Sequence, residues 1–182
     1  MNPPRRGVQN RTVAASAWPA AMSDEPVSLV GAADRVQFVF NRAMLSLQEI
    51  SDRLEIQQLL IDYSTAIDQR RFDDLDRVFT PDAYIDYRAF GGVEGQYPQV
   101  KAWLAEVLPN FPSYSHMLGN FDVRIDGDTA SSRTICFNPM VLGGEKKQVL
   151  FCGIWYVDAF MRTPEGWRMT RRVEEKCFDR IV

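Results

Sequence analysis

The chain has 182 residues, 46% hydrophobic and 12% aromatic, enough for one well-packed domain and too few for two full ones. A formal net charge of −3, with no dense Lys/Arg stripe, excludes the electrostatic footprint of a nucleic-acid binder. No run approaches the ~18–20 apolar residues that cross a bilayer, so no membrane association is expected.

Residues 1–26 are rich in Pro, Ala, Ser and Arg without helical or strand periodicity and are predicted to be disordered. Arg5 and Arg6 ahead of an Ala-rich stretch ending near Ala20 also fit a signal peptide, although Pro19 and polar residues interrupt its apolar region. A third reading has translation beginning at Met22 or Met44, which would leave the residues upstream outside the protein. Between them, Val27, Leu29, Val30, Val36, Phe38, Val39 and Phe40 suggest a short appended element. The expected division is a poorly ordered extension over 1–45 and a folded domain over 46–182.

Ile56, Leu59, Leu60, Tyr63 and Ile67 recur at helical spacing, predicting an amphipathic helix over about 47–70. Asp62 projects opposite this stripe into solvent, whereas Asp68, four residues after Ser64, falls at its shoulder and can face inward. A second short helix through Phe72, Leu75, Val78 and Phe79 should end before Pro81. Ala83–Tyr87 alternates like a strand, and Val100, Trp103, Leu104 and Val107 predict a helix over 96–108 closed by Pro109 and Pro112. Strand-like runs follow at 113–125, 129–141, 147–162 and 167–178. Asp126-Gly127-Asp128 marks a tight hairpin, Gly143-Gly144 a looser one and Pro164-Glu165-Gly166 a third. Helices followed by a long meander predict an α+β fold. In it, a strongly curved antiparallel (mixed) sheet forms a cone-like half barrel against the N-terminal helices, with a central pocket.

Within that frame the only histidine, His116, is the best handle on chemistry, because an imidazole with a pKa near 6.5 both takes and gives protons at neutral pH. An isolated histidine is equally a packing residue, so a partner is needed. It shares a predicted strand face with Tyr114, Leu118 and Asn120. Cys136, Cys152 and Cys177 are widely spaced, form no Cys-x-x-Cys pair and have one histidine to help them, which argues against structural zinc. They read as buried, reduced thiols of a cytoplasmic protein. Gly91-Gly92-Val-Glu-Gly95 is too short and wrongly placed for a dinucleotide fingerprint and suggests a mobile loop at a pocket mouth. No cofactor and no metal are expected.

Taken in order, the segments Asp68-Gln-Arg-Arg-Phe-Asp-Asp-Leu75, Phe79-Thr-Pro-Asp-Ala83, Gly91-Gly92, His116-Met-Leu-Gly-Asn120, Asp126-Gly-Asp128 and Gly166-Trp167 resemble the SnoaL-like branch of the nuclear transport factor 2-like superfamily. The resemblance spans about 47–182. Within the branch, Ile85-Asp-Tyr-Arg-Ala-Phe90, Ser115-His-Met-Leu-Gly119 and Phe178-Asp-Arg-Ile181 look most like scytalone dehydratase and hexachlorocyclohexane dehydrochlorinase.

That resemblance implies a catalytic dyad of Asp68 and His116, the histidine acting as general base and the aspartate fixing its tautomer. Tyr87 matches the tyrosine that polarises the substrate carbonyl. Tyr63, Tyr84, Asn120, Asn138, Met140 and Trp155 are candidates for the substrate pocket. Two polar handles of the scytalone enzyme fall on Ile67 and near Met140 here. The cavity should therefore be more apolar, suited to a hydrophobic or aromatic small molecule rather than scytalone. The arginine that assists the dehydrochlorinase corresponds to Arg162.

The implied activity is that of a cofactor-independent, dehydratase-like lyase, a homo-oligomer (dimer or trimer) whose partner is a small-molecule substrate rather than nucleic acid or membrane. A ketosteroid-isomerase-like reading would use Tyr63, Asp86 and Asp158. It ranks lower, because pleating points Asp86 and Tyr87 to opposite faces and burying Asp158 without a donor is costly, so Asp158 is expected to be exposed. A third reading is a non-catalytic ligand-binding or oligomerisation module in which Asp68 and His116 form a sealed structural pair.

Overall fold

The computed structural model describes residues 44–146 and 148–182. The expectations for residues 1–43 lie outside the described residues. Helix α1 (Leu47–Asp68) leads into a 3-10 segment (Phe72–Arg77) and strand β1 (Phe79–Asp86). A 3-10 turn (Arg88–Phe90), the short β2 (Glu94–Gln96) and helix α2 (Tyr97–Val107) follow. The chain then runs through β3 (Met117–Asp126), β4 (Thr129–Val141), β5 (Val149–Thr163) and β6 (Gly166–Ile181).

Helix α1 begins where the Ser46 hydroxyl accepts the Glu49 N–H, satisfying one of the amide donors a helix start leaves unpaired. Its predicted stripe is buried from Ile56 to Ile67, and Asp62 is exposed as expected. Asp52 is buried as well and anchors the helix to the far end of the sheet. Its carboxylate takes two 2.8 Å bonds from Arg162 and one of 3.1 Å from the Trp167 indole. The arginine chiefly holds the Asp52 carboxyl down at about 2, against the opposing cost of burial. Arg162 also stacks over the Trp167 ring and bonds Asp128, so this side chain clasps the helix to the sheet and does not line the cavity beneath it.

The six strands lie in the order β2-β1-β6-β5-β4-β3, antiparallel except for the parallel β1–β6 pair, in a sheet that does not close. Register shifts between Gly119 and Asp122 on β3, and opposite Gly153–Ile154 and Ala159–Phe160 on β6, insert extra residues. Each such bulge increases local twist and coils the sheet around the helices. The hairpins at Gly127-Asp128 and Pro164-Glu165 are tight, as expected.

Some boundaries differ from the sequence reading. The second helix is 3-10 only, and β1 starts at Phe79 and runs through Pro81, tolerated because the β1–β6 register shifts between Phe79 and Tyr84. Strand β2 escapes prediction, having three residues and no alternation. Cys136 and Cys152 are buried, but Cys177 is exposed at the last bulge of β6. Asp158 is not exposed either. It is fully buried because it has the donor that the sequence did not reveal, Arg172 on the adjacent strand. No described helix is long and apolar enough to cross a membrane.

Candidate active site

The carboxyl end of α1 and the entry to β3 meet at one point. Asp68, the last residue of α1, accepts the His116 backbone N–H through Oδ2 at 2.9 Å and approaches its Nδ1 with Oδ1 at 2.6 Å. A carboxylate so placed requires Nδ1 to carry the proton, which leaves Nε2 as the basic atom. His116 itself lies just before β3 rather than on a strand face, because three tethers hold this segment. The Tyr114 hydroxyl donates to the Ile67 carbonyl (3.1 Å), Tyr114 bridges to Met140, and the Asn138 amide donates to the Ser115 carbonyl (2.8 Å). The imidazole is 7% exposed and Asp68 25%, the latter towards a groove beside Ser64 and Leu118.

On the inner side, His116 lines a cavity of about 210 Å³ enclosed by α1, α2 and the concave face of the sheet. For comparison, a dry cavity of about 150 Å³ accommodates benzene, so this one fits a single ring with a short substituent. Its walls are largely apolar, including Ile67, Phe90, Trp103, Leu104, Met140 and Ile154. A wider depression, about 610 Å³, lies on the surface between the Arg70–Asp74 segment and α2. Most of its charges are paired, as in Lys101–Asp73 and Arg71–Asp74, while Arg70 donates to the Phe111 carbonyl.

Two phenols share the cavity with the histidine. The Tyr63 and Tyr87 hydroxyls are 2.8 Å apart, and the Tyr63 ring meets the His116 ring edge to face, centroids 6.2 Å apart. Burial pushes the Tyr63 phenol up to about 12 and raises Tyr87 well above the ordinary phenol value, so both stay protonated at neutral pH. In a hydroxyl–hydroxyl bond one proton is used between the partners and the other is free. The pair therefore offers one donor to a ligand oxygen. Tyr87 is set by the loop that follows it. A Cβ on Gly92 would lie 2.8 Å from the Tyr87 carbonyl oxygen and 2.9 Å from its Cβ, so only glycine lets this loop close against it, and Gly91 turns the chain at φ 81°.

Behind the phenols lies a buried ion pair. Arg172 on β6 donates Nε and Nη2 to the two oxygens of Asp158 at 2.9 and 2.8 Å, and both side chains are wholly inaccessible. The guanidinium is sandwiched between the Tyr63 and Tyr156 rings, 4.0 Å from each centroid. Two positions further along β6, Glu174 lines the cavity. Burial, with smaller contributions from Asp86 and Asp158 and against the pull of Arg172, raises its carboxyl to about 8.

Of the residues expected at the site, His116, Tyr63, Tyr87, Asn138 and Met140 line the cavity and Asp68 stands behind the histidine. Three expected pocket residues lie elsewhere. Tyr84 alternates with buried Ala83 and Ile85 and donates its hydroxyl to Glu94 at the sheet edge. Asn120 takes a left-handed conformation (φ 48°) in the β3 bulge and is exposed, the bulge having broken the parity that linked it to His116. Trp155 is displaced by its neighbour: Tyr156 faces inward, so Trp155 faces outward and stacks under Arg133 at 3.9 Å. Asp86 is held by Arg88 and does not line the cavity. Sequence reasoning missed Arg172 and Glu174. The alternation Arg172-Val-Glu174, facing Asp158 and Tyr156 across the strand pair, was the available signal.

Residues 48–173 match the family described as the SnoaL-like domain. An uncharacterized protein of Mycobacterium tuberculosis is 73% identical over 144 residues, covering 79% of this chain and 98% of its own length. Among solved structures, a Novosphingobium aromaticivorans protein provisionally named an aromatic ring hydroxylase is 30% identical (TM-score 0.65, covering 73% of this chain and 93% of that one). A second from that organism, provisionally named a scytalone dehydratase, is 18% identical (TM-score 0.65, 72% and 87%). Hexachlorocyclohexane dehydrochlorinase of Novosphingobium barchaimii is also 18% identical (TM-score 0.66, 75% and 93%). At 18% identity these last two likenesses are of fold alone.

Proposed function

The chain belongs to the SnoaL-like domain family, and on that premise we propose that it is a cofactor-independent lyase for a small, largely apolar carbonyl compound. The observation that carries this reading is that His116 is bonded to Asp68 through Nδ1 while lining an apolar cavity that also holds the Tyr63–Tyr87 hydroxyl pair. Nε2 removes the proton on the carbon next to the carbonyl, and the free phenol proton hydrogen-bonds the carbonyl oxygen as charge accumulates there. The leaving group departs from the neighbouring carbon as the double bond forms. Asp68 steadies the imidazolium without taking its proton. The groove at Asp68 brings solvent to the outer side of the dyad, where the field of the new charge is screened.

Elimination is the chemistry named for the dehydratase and dehydrochlorinase neighbours, which supports the reading as analogy. The isomerase alternative is disfavoured because both carboxylates it needs are engaged by arginines, Asp158 by Arg172 and Asp86 by Arg88. A sealed structural pair is disfavoured because His116 opens onto the cavity. Exposed Met117 and Phe178, beside the stacked Phe137 and Phe151 rings on the sheet face opposite the cavity, support self-association through that face.

A direct test uses 3-chlorocyclohexanone, whose elimination to cyclohexenone needs a base and releases chloride unaided. Wild type should form the enone, His116→Ala should lose about 10²–10⁴ in rate, and Asp68→Asn a comparable amount through the wrong tautomer. Equal turnover by all three, each folded, refutes the proposal.

A further inference from the structure

Glu174 is the only carboxyl among the described residues lining the cavity, and it makes no hydrogen bond or ion pair with a described residue. The charged groups around it have other partners, although Nη1 of Arg172 is buried without a hydrogen bond. On its own strand Arg172 is held by Asp158 of β5, and Lys176 pairs with Asp179. From β1, Asp86 is paired with Arg88. The remaining titratable neighbours are neutral donors: Tyr63 of α1, Tyr87 after β1, Tyr156 and Cys152 of β5, and Cys136 of β4, all with raised proton affinity. Without a cation of its own, the side chain keeps its proton at neutral pH, with its carboxyl raised to about 8. Glu174 thus places a protonated carboxyl in the same small cavity as the imidazole of His116, so that one group can give a proton while the other takes one.

We propose that Glu174 is the proton donor to the leaving group, so that the site takes ring-sized β-hydroxy carbonyl compounds and releases water. This rests on the reading of His116 as the base. In the step, Nε2 of His116 takes the α-proton, the C–H electron pair becomes the new C=C bond, and the C–O bond breaks with its electrons on oxygen. That oxygen takes the Glu174 proton and leaves as water. The imidazolium then returns its proton to the Glu174 carboxylate through water in the cavity, so that substrate equals enone plus water with no oxidant or reductant. Hydroxide is a poor leaving group and needs this proton; chloride does not.

The test is a pair of probes with the same ring, α-proton and product: 3-hydroxycyclohexanone and 3-chlorocyclohexanone, both followed as cyclohexenone. Glu174→Gln should lose turnover of the hydroxy ketone at least about tenfold more than turnover of the chloro ketone, and Glu174→Asp should restore part of it. His116→Ala should lose both. An infrared carboxylic-acid band present in wild type at pH 6.5 and missing from Glu174→Gln should accompany this. Equal losses on both probes, an unimpaired Glu174→Gln, or the absence of that band overturns the proposal. Wild type converting only the chloro ketone overturns the role of Glu174 while leaving His116 as base. Wild type converting neither removes the base reading as well.

Discussion

Glu174 should leave a signature in stability that needs no substrate. Its carboxyl moves from an ordinary value of 4.5 in the unfolded chain to about 8 in the fold. An acid with a raised folded pKa binds more protons folded than unfolded between those limits, so the contribution of Glu174 to stability is fully present below 4.5 and is lost as pH rises through about 8. At about 1.36 kcal/mol per pH interval of one, the ceiling on that decline is about 5 kcal/mol, and water entering the cavity will reduce it to about 2–4 kcal/mol. Glu174→Gln removes the titration while keeping the shape. Urea unfolding followed by tryptophan fluorescence at pH 5 and pH 8.5 should therefore show the variant gaining on wild type by about 2–4 kcal/mol as pH rises. A stability difference that stays constant within about 0.5 kcal/mol would mean that the folded chain ionises Glu174 normally, and the reasoning about its surroundings would be wrong.

Other outcomes follow from the same geometry. The double variant Tyr63→Phe/Tyr87→Phe should reduce turnover of the chloro ketone by about 10²–10³ while costing no more than about 1 kcal/mol of stability, since it removes the phenol donor together with both partners of one hydrogen bond. Asp52→Asn should destabilise the fold by about 2–3 kcal/mol at neutral pH; because its folded pKa is depressed from 3.8 to about 2, that advantage exists above 3.8 and disappears as pH falls through 2, as acid unfolding would reveal. Arg172→Met leaves Asp158 buried and unpaired and should cost about 3–5 kcal/mol, whereas the double variant Arg172→Met/Asp158→Leu should recover most of it in denaturant titrations. Gly92→Ala must displace Tyr87 or Trp103 and should cost about 1–3 kcal/mol, read as a lower melting temperature.

The helical stripe from Ile56 to Ile67 and the hairpins at Gly127 and Glu165 were legible because local periodicity and turn chemistry determine them. The placement of Asp68 followed from the same count, since a residue at the shoulder of an amphipathic helix necessarily borders the core. What was lost depended on features without a local period. Bulges shift parity, so Asn120 turns outward although its spacing from His116 is that of a shared strand face. Adjacent aromatics compete for one face, and nothing local decided between Trp155 and Tyr156. The Arg171–Lys176 run looks like a solvated edge because nothing local marks its two inward ionisable side chains: Arg172 is matched by Asp158 on another strand, and Glu174 pairs with no described residue. Arg162, likewise, finds Asp52 across 110 residues of sequence.

The central claim is that His116 removes a proton from carbon beside a carbonyl. Hydrogen–deuterium exchange at the α-carbon of cyclohexanone in deuterated buffer isolates that step, because this ketone has no leaving group and fits the cavity. Followed by proton NMR, wild type should accelerate α-exchange over buffer, with the acceleration lost in His116→Ala and strongly reduced in Asp68→Asn. Undiminished exchange in a folded His116→Ala protein would contradict the account.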